Sequence, residues 1–295
     1  MNSTLLDLSE KIDQAVVEAV AVVSVAAERH AIPFLIVGAA ARDFLLEHAC
    51  GISSGRATED VDFGVRVNSW EDYEALAAEL ETGGCTRDRK MRHRFKAPNS
   101  LLVDLVPFGT IAGPGQQIIW PPENDRRMSV EGFESAMNNS VELLLRSDPR
   151  LVVRTASLPG LALLKILSWH DSSPKRAKDG YDFYIIMNTY METPNVDRLT
   201  TDARDLVVEP IPPLQEIGAR LLGRDMAGIC DPGTATWVVE ILHREQSEEG
   251  PLQLLPALMD AAGASTNADE VLSLLRAVER GFLEIVQRPQ RADRG

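Results

Sequence analysis

The sequence predicts an α/β (α+β) fold. An N-terminal α/β domain on a mixed, largely antiparallel sheet spans residues 1–158, and an α-helical domain spans 159–295. Three observations predict it. The apolar run "IPFLIVG" reads as a buried strand that passes through Gly38 directly into the helix-favouring "AAARDFLLEHA". Short strand-like runs bounded by turn residues recur up to about residue 154. Beyond Pro159 nearly every segment has helical spacing.

Each element has its own local signal. Ile12, Val16, Ala19, Val20, Val23 and Ala27 recur at helical intervals, so an opening helix is expected from about residue 7 to 30. A Gly/Ser loop at 51–57 precedes the strand "TEDVDFGV". Ser69 is placed to cap a helix through "WEDYEALAAELE", and Gly83-Gly84 to stop it. The segments "CTRDRKMRHRFKA" and "SLLVDLVPFG" read as two or three strands meandering antiparallel, turned at Pro98 and Asn99. Short strands at 140–145 and 150–154 close the sheet. Helices are then expected at 159–170, 175–191, 213–228, 233–247, 251–262 and 268–287, the last opened by Thr266-x-x-Asp269.

Composition narrows the class. With 295 residues, 44% of them hydrophobic, the chain can bury a real core. A formal charge of -14 excludes an indiscriminate polyanion binder, so any nucleic-acid contact must be a local basic patch. Cys50, Cys85 and Cys230 are too few and too scattered to predict a disulfide framework or a zinc site, which makes a reducing cytoplasm the expected compartment. The apolar segment Val16–Ala27 contains Glu18 and follows Asp7, Glu10 and Asp13. Neither a signal peptide nor a membrane span is read there.

Asp60 and Asp62 are the first candidate site residues. On a strand, residues i and i+2 share a face with Cα atoms about 6.5–7 Å apart, so both carboxylates can converge on one ion while Val61 and Phe63 face the core. A divalent cation with a preference for oxygen would cancel their repulsion. Two harmless acids at a solvated strand end is the alternative, and for the pair alone it is the stronger one. Asp104 adds weight, because it sits in "LLVDLVPF", where an unpaired charge would be costly. Three carboxylates beside a strand-to-helix turn at Gly38, where backbone N–H groups can approach an anion, suggest metal-assisted phosphoryl or nucleotidyl transfer.

The order "VGAAARDFLL", "TEDVDF", "VDLVPF" resembles the polymerase β-like nucleotidyltransferase superfamily. "RHRF" and "VPFG" around the third Asp, with "LPGLALLKILSWHD" and "KRAKDGYDFYIIM", resemble the AbiEii/MenT-like nucleotidyltransferase toxins, over roughly residues 32–191. The resemblance implies a magnesium-dependent enzyme that transfers a nucleoside monophosphate from an NTP. Two Mg²⁺ ions would be held by Asp60 and Asp62, with Asp104 on the ion that activates the acceptor. It implies that Lys165 contacts the triphosphate and that Asp179 and Asp182 accompany it, with the helical domain as the other wall of the cleft; Lys165 is the only charge in the run Leu158 to Trp169, and the alternative is that its stem packs while the ammonium reaches water. Asp179 also lies early in its helix, where a carboxylate is favourable for dipole reasons alone. The turn departs from the superfamily's common Gly-Ser or Gly-Gly, since it reads Gly38-Ala39. A hydroxyl contact is lost there, but the backbone N–H of Ala39 remains.

Arg87, Arg89, Lys90, Arg92, Arg94 and Lys96 crowd one short stretch of this acidic chain. If it is a strand, Arg92, Arg94 and Lys96 share a face that could touch phosphates, whereas a charged edge strand that resists aggregation is the alternative. Arg42 has two readings, a phosphate contact or an ion pair with Asp43 or another acid. Lys175, Arg176 and Lys178 add further basic groups. Three functions remain open: transfer to a macromolecule such as the 3′ end of tRNA, transfer to a small hydroxyl or amino compound such as an antibiotic, or noncatalytic nucleotide binding. The toxin resemblance brings an antitoxin protein into the set of candidate partners, and no membrane partner is expected.

Overall fold

The computed structural model describes residues 5–55, 58, 60–121, 127–172, 177–247, 254–263 and 267–288. It contains two compact units, Met1–Leu164 and Lys165–Gly295. The sequence places the change at Pro159; the division lies within the helix that begins at Leu158.

The first unit opens with β1 (Leu6–Asp7), α1 (Gln14–Arg29), β2 (Phe34–Val37) and α2 (Gly38–Asp43), which continues as a wider π-helical turn over Phe44–Ala49. Then come β3 (Asp60–Arg66), α3 (Trp70–Thr82), β4 (Thr86–Arg87), β5 (Arg94–Lys96), β6 (Leu102–Phe108), β7 (Gln117–Ile119), β8 (Arg127–Ser129), α4 (Phe133–Asn138), β9 (Ser140–Arg146) and β10 (Leu151–Ala156). α5 (Leu158–Ser172) crosses the division. The second unit holds α6 (Ala177–Thr189), short 3-10 turns between Tyr190 and Leu206, α7 (Leu214–Ile229), α8 (Pro232–Arg244), α9 (Leu254–Ala262) and α10 (Ala268–Val286).

The main sheet has the order β1-β9-β10-β2-β3-β6-β5-β4. It is mixed: β9–β10, β2–β3, β5–β6 and β4–β5 run antiparallel, whereas β1–β9, β2–β10 and β3–β6 run parallel. The antiparallel meander expected of residues 85–110 is present as β4–β5–β6, and the parallel pairing of β6 with β3 is an addition that the sequence did not announce. The chain leaves β3 through α3 and the β4–β5 hairpin, and β6 inserts between β3 and β5, parallel to β3. Its apolar residues dictate this central place. Val103, Leu105, Val106 and Phe108 are all buried, as expected for a strand covered on both faces.

Local chemistry sets the element ends. Ser69 Oγ accepts from the Asp72 N–H to cap α3, and Gly83 and Gly84 end that helix, with Gly84 at φ +91°. α1 begins later than its periodicity suggests. Asp7 accepts from the N–H and hydroxyl of Ser9 and turns the chain, while Asp13 caps the helix through the Ala15 N–H. The residues ahead of that turn pair instead with β9. α10 is capped by Asn267, which accepts from the Glu270 N–H. Thr266, the expected opening residue, lies outside the described residues. The hairpin of β7 with β8 and helix α4 had no expectation in the sequence.

Leu35 and Ile36 of β2, Val61, Phe63 and Val65 of β3, Val103 and Leu105 of β6, Val20 and Val23 of α1 and Leu76 and Leu80 of α3 are all buried and form the core of the first unit. In the second unit, α7 and α10 meet at small residues. A Cβ on Gly281 would stand 1.9 Å from the Arg220 carbonyl oxygen, and one on Gly223 2.0 Å from that of Val278. Leu221, Leu222, Leu275, Val278 and Phe282 on these two helices are buried.

Candidate active site

The D-x-D strand is β3, and its alternation is as the spacing requires. Val61 and Phe63 are buried, while Asp60 and Asp62 are half-buried on the other face. Parallel pairing aligns Asp62 with Asp104 of β6, and antiparallel pairing aligns Asp104 with Arg94 of β5. Cross-strand partners share a face of the sheet. Asp60, Asp62, Asp104 and Arg94 are thereby gathered on one side of three adjacent strands.

Gly38 completes this side. Val37 is the register partner of Asp62, so the turn into α2 begins beside the carboxylate. Gly38 has φ +71°, a left-handed conformation, and a Cβ there would lie 1.9 Å from Asp62 Oδ2. Glycine is required both by the backbone angle and by the approach of Asp62. Ala39 follows it and is buried.

Arg94 is the cation among the carboxylates. Its Nε donates to Asp104 Oδ1 at 2.7 Å and its Nη2 to Asp104 Oδ2 at 2.6 Å, a bidentate fork. The same Nη2 donates to Asp60 Oδ2 at 3.1 Å. These hydrogen bonds to Asp104 hold the guanidinium well above its usual pKa, partly offset by burial and reinforced by the charges of Asp104, Asp60 and Asp62. The sequence singled out Arg94 for phosphates; the structure shows it bound to carboxylates. Among the described residues no group of three or more His, Cys, Asp or Glu is arranged to hold a metal ion. The donor set nevertheless has the right chemistry for a hard divalent cation, three carboxylates from adjacent strands on one face. The Arg94 guanidinium takes oxygens from two of the three.

Arg42 takes the structural one of its two readings. Its side chain is fully buried and donates through Nε and Nη2 to Asp43 Oδ1 at 2.9 and 2.7 Å, while Thr58 donates to the other Asp43 oxygen. That burial corrects the expectation of a phosphate contact, because the guanidinium lies inside the unit. The basic stretch also divides. β5 covers only Arg94–Lys96, so Arg92 does not share a strand face with them. Arg87 pairs with Glu74 and lies over the Tyr73 and Phe95 rings, a packing role. Arg89, Lys90 and Lys96 are exposed.

In the second unit, Lys165 of α5 meets both acids of α6. Its ammonium is 3.0 Å from Asp179 Oδ1 and 2.6 Å from Asp182 Oδ2. Lys165 is 12% exposed, and Asp182 is 1% exposed. The three-residue spacing puts both acids on one face of α6, as read from the sequence. Lys175 and Arg176 lie outside the described residues. A second, partly buried polar set escaped sequence reading. Tyr190 donates to Asp225 at 2.6 Å, Arg198 forks onto the same carboxylate at 2.6 and 3.0 Å, and burial pushes the Tyr190 phenol well up. No spacing in the sequence links these three positions.

No helix among the described residues is long and apolar enough to cross a membrane. No curated protein matches the chain. Solved structures that resemble it include ANT(2″)-Ia in complex with adenylyl-2″-tobramycin, at 16% identity over 65% of this chain and 99% of that one, with TM-score 0.37. The Thermotoga maritima CCA-adding enzyme complexed with tRNA resembles it at 13% identity over 95% and 83% of the two chains, with TM-score 0.26. A CCA-adding enzyme complexed with ATP does so at 12% identity over 95% and 84%, with TM-score 0.29. Residues 44–226, more than half of the chain, match the model of the nucleotidyl transferase AbiEii toxins of type IV toxin–antitoxin systems. The chain belongs to the AbiEii nucleotidyltransferase toxin family.

Proposed function

We propose that this protein transfers a nucleoside monophosphate from an NTP to an acceptor hydroxyl, and that Asp60, Asp62 and Asp104 hold the divalent cations, two Mg²⁺ ions, that the reaction uses. The observation that carries the reading is the register that sets Asp62 beside Asp104 on one sheet face, with Asp60 two residues away on the same strand. Mg²⁺ held there would supply Lewis acidity for the attacking oxygen and charge neutralisation for the leaving pyrophosphate. Gly38 and Ala39 offer backbone N–H groups to the phosphates. Asp104, more buried than Asp60 and Asp62, is the carboxylate assigned to the acceptor side. Lys165 is read as the cation that meets the triphosphate, with Asp179 and Asp182 fixing its ammonium.

For the acceptor we favour RNA, and specifically a tRNA 3′ end, over a small molecule. The supporting observation is the β4–β5 hairpin, where Arg89, Lys90 and Lys96 remain exposed on an otherwise acidic chain, next to the strand that carries Arg94. Family membership further suggests a cognate antitoxin that opposes the activity. The test is incubation of the full chain and its Asp62→Ala variant with each α-labelled NTP, Mg²⁺ and total tRNA. Label on tRNA that disappears with Asp62→Ala is the expected result. Label on tRNA that survives the substitution would remove the metal reading. Binding to tRNA that is insensitive to salt would remove the hairpin as its contact surface.

A further inference from the structure

We infer that Arg94 is a built-in rival of the metal: its guanidinium holds the oxygens of Asp104 and Asp60 until an anionic nucleotide phosphate draws it away, so that cation and NTP bind cooperatively. The inference rests on the assignment of Asp60, Asp62 and Asp104 as cation ligands and goes beyond it to the order and coupling of binding.

The competition is inferred from the hydrogen bonds of the fork. Arg94 donates to both oxygens of Asp104 and to one of Asp60, the groups a divalent ion would need. A dication entering beside the fork would share these oxygens with a positive charge a few ångströms away, which weakens its binding. If the guanidinium leaves, its hydrogen bonds are lost, and a phosphate is the partner whose fork geometry replaces them. The side chain has a way out. Arg94 is 24% exposed and Asp104 9%, so the guanidinium lies on the solvent side of the carboxylate it covers. The strand need not move, because Phe95 beside it is fully buried and fixes β5.

A merely supportive arginine makes the opposite prediction. If Arg94 only oriented Asp104, removing it would loosen the carboxylate and weaken cation binding. If it competes, removing it strengthens cation binding in the absence of nucleotide.

The experiment is a titration of the full chain with Mn²⁺, reading free Mn²⁺ by electron paramagnetic resonance, with and without an NTP analogue that has a non-hydrolysable α,β-bridge, each corrected by the same titration of the analogue without protein, because its phosphates bind Mn²⁺ themselves. Wild type is expected to bind Mn²⁺ about tenfold more tightly with the analogue than without it. Arg94→Gln is expected to bind Mn²⁺ about tenfold more tightly than wild type when no analogue is present, and to lose most of the coupling. Arg94→Lys keeps the charge but not the fork. It should fall between the two, and it serves as the measurement should Arg94→Gln fail to fold by circular dichroism. Equal or weaker Mn²⁺ binding by the folded variants would overturn the inference while leaving the carboxylates as ligands. Mn²⁺ binding no better than that of Asp62→Ala in every variant, with or without analogue, would overturn the metal assignment and this inference together.

Discussion

The carboxylate of Asp62 lies directly over the α-carbon of Gly38, with Oδ2 1.9 Å from the place a Cβ would take. One residue of the turn and one of the strand thus define each other's position. Gly38→Ala adds a left-handed backbone penalty of about 1–2 kcal/mol to this overlap. The Asp62 side chain must move, and a displacement on the order of 1 Å can cost about 100-fold in rate. We expect Gly38→Ala to lower the melting temperature by several degrees and nucleotide transfer by at least about tenfold. Thermal melts and label transfer on the same preparation check it; full activity would show that Asp62 position is not critical.

Asp62→Ala should separate activity from folding. The side chain is half-buried on the face opposite Val61 and Phe63, so the core of β3 remains packed without it. Losing several kcal/mol of charge stabilisation in the transition state corresponds to a rate loss on the order of 10³-fold. Circular dichroism should be unchanged while transfer disappears.

Lys165 has a structural role besides the one proposed for it. Replacing it by methionine removes the ammonium from between two carboxylates that are nearly out of solvent. Breaking a buried ion pair from one side costs about 3–5 kcal/mol. Urea unfolding should show this loss for Lys165→Met, and Lys165→Met with Asp182→Asn should recover part of it. An unchanged midpoint for Lys165→Met would show that the ammonium does not stabilise the pair.

Acid should weaken the helical unit through Glu284. Burial raises its pKa, but hydrogen bonds from Arg220 and Arg224 outweigh that and leave it below the ordinary 4.5. A carboxylate with a lowered folded pKa binds fewer protons folded than unfolded. Its contribution is therefore complete above 4.5 and is lost as pH falls through the lowered value. Glu284→Gln should cost about 1–3 kcal/mol in neutral buffer and flatten the acid limb of stability. Urea midpoints measured at neutral pH and below 4.5 decide it; a variant as acid-sensitive as wild type would exclude Glu284 as a source.

Much of the fold was legible because it follows local rules. The alternation of Asp60, Val61, Asp62 and Phe63 gives a two-faced strand, Ser69 and Gly83 mark the ends of α3, and helical spacing after Pro159 gives the helices of the second unit. Periodicity alone starts α1 too early, because it does not reveal that Asp7 turns the chain through its hydrogen bonds from Ser9 or that Asp13 caps the helix. Arg42 was ambiguous for a related reason. A basic residue early in a helix looks the same in sequence whether its neighbours leave it a path to solvent or enclose it.

The sequence by itself determined which carboxylates share the strand β3 and which acids share a face of α6, because both follow from fixed periods of two residues and 3.6 residues. Tertiary structure alone decided that β6 enters parallel between β3 and β5, and hence that Asp62 stands beside Asp104 and Asp104 beside Arg94. Strand insertion depends on which strand buries both faces, a property of the whole sheet rather than of any short segment. The choice Arg94 makes, carboxylates over solvent, is a consequence of that insertion.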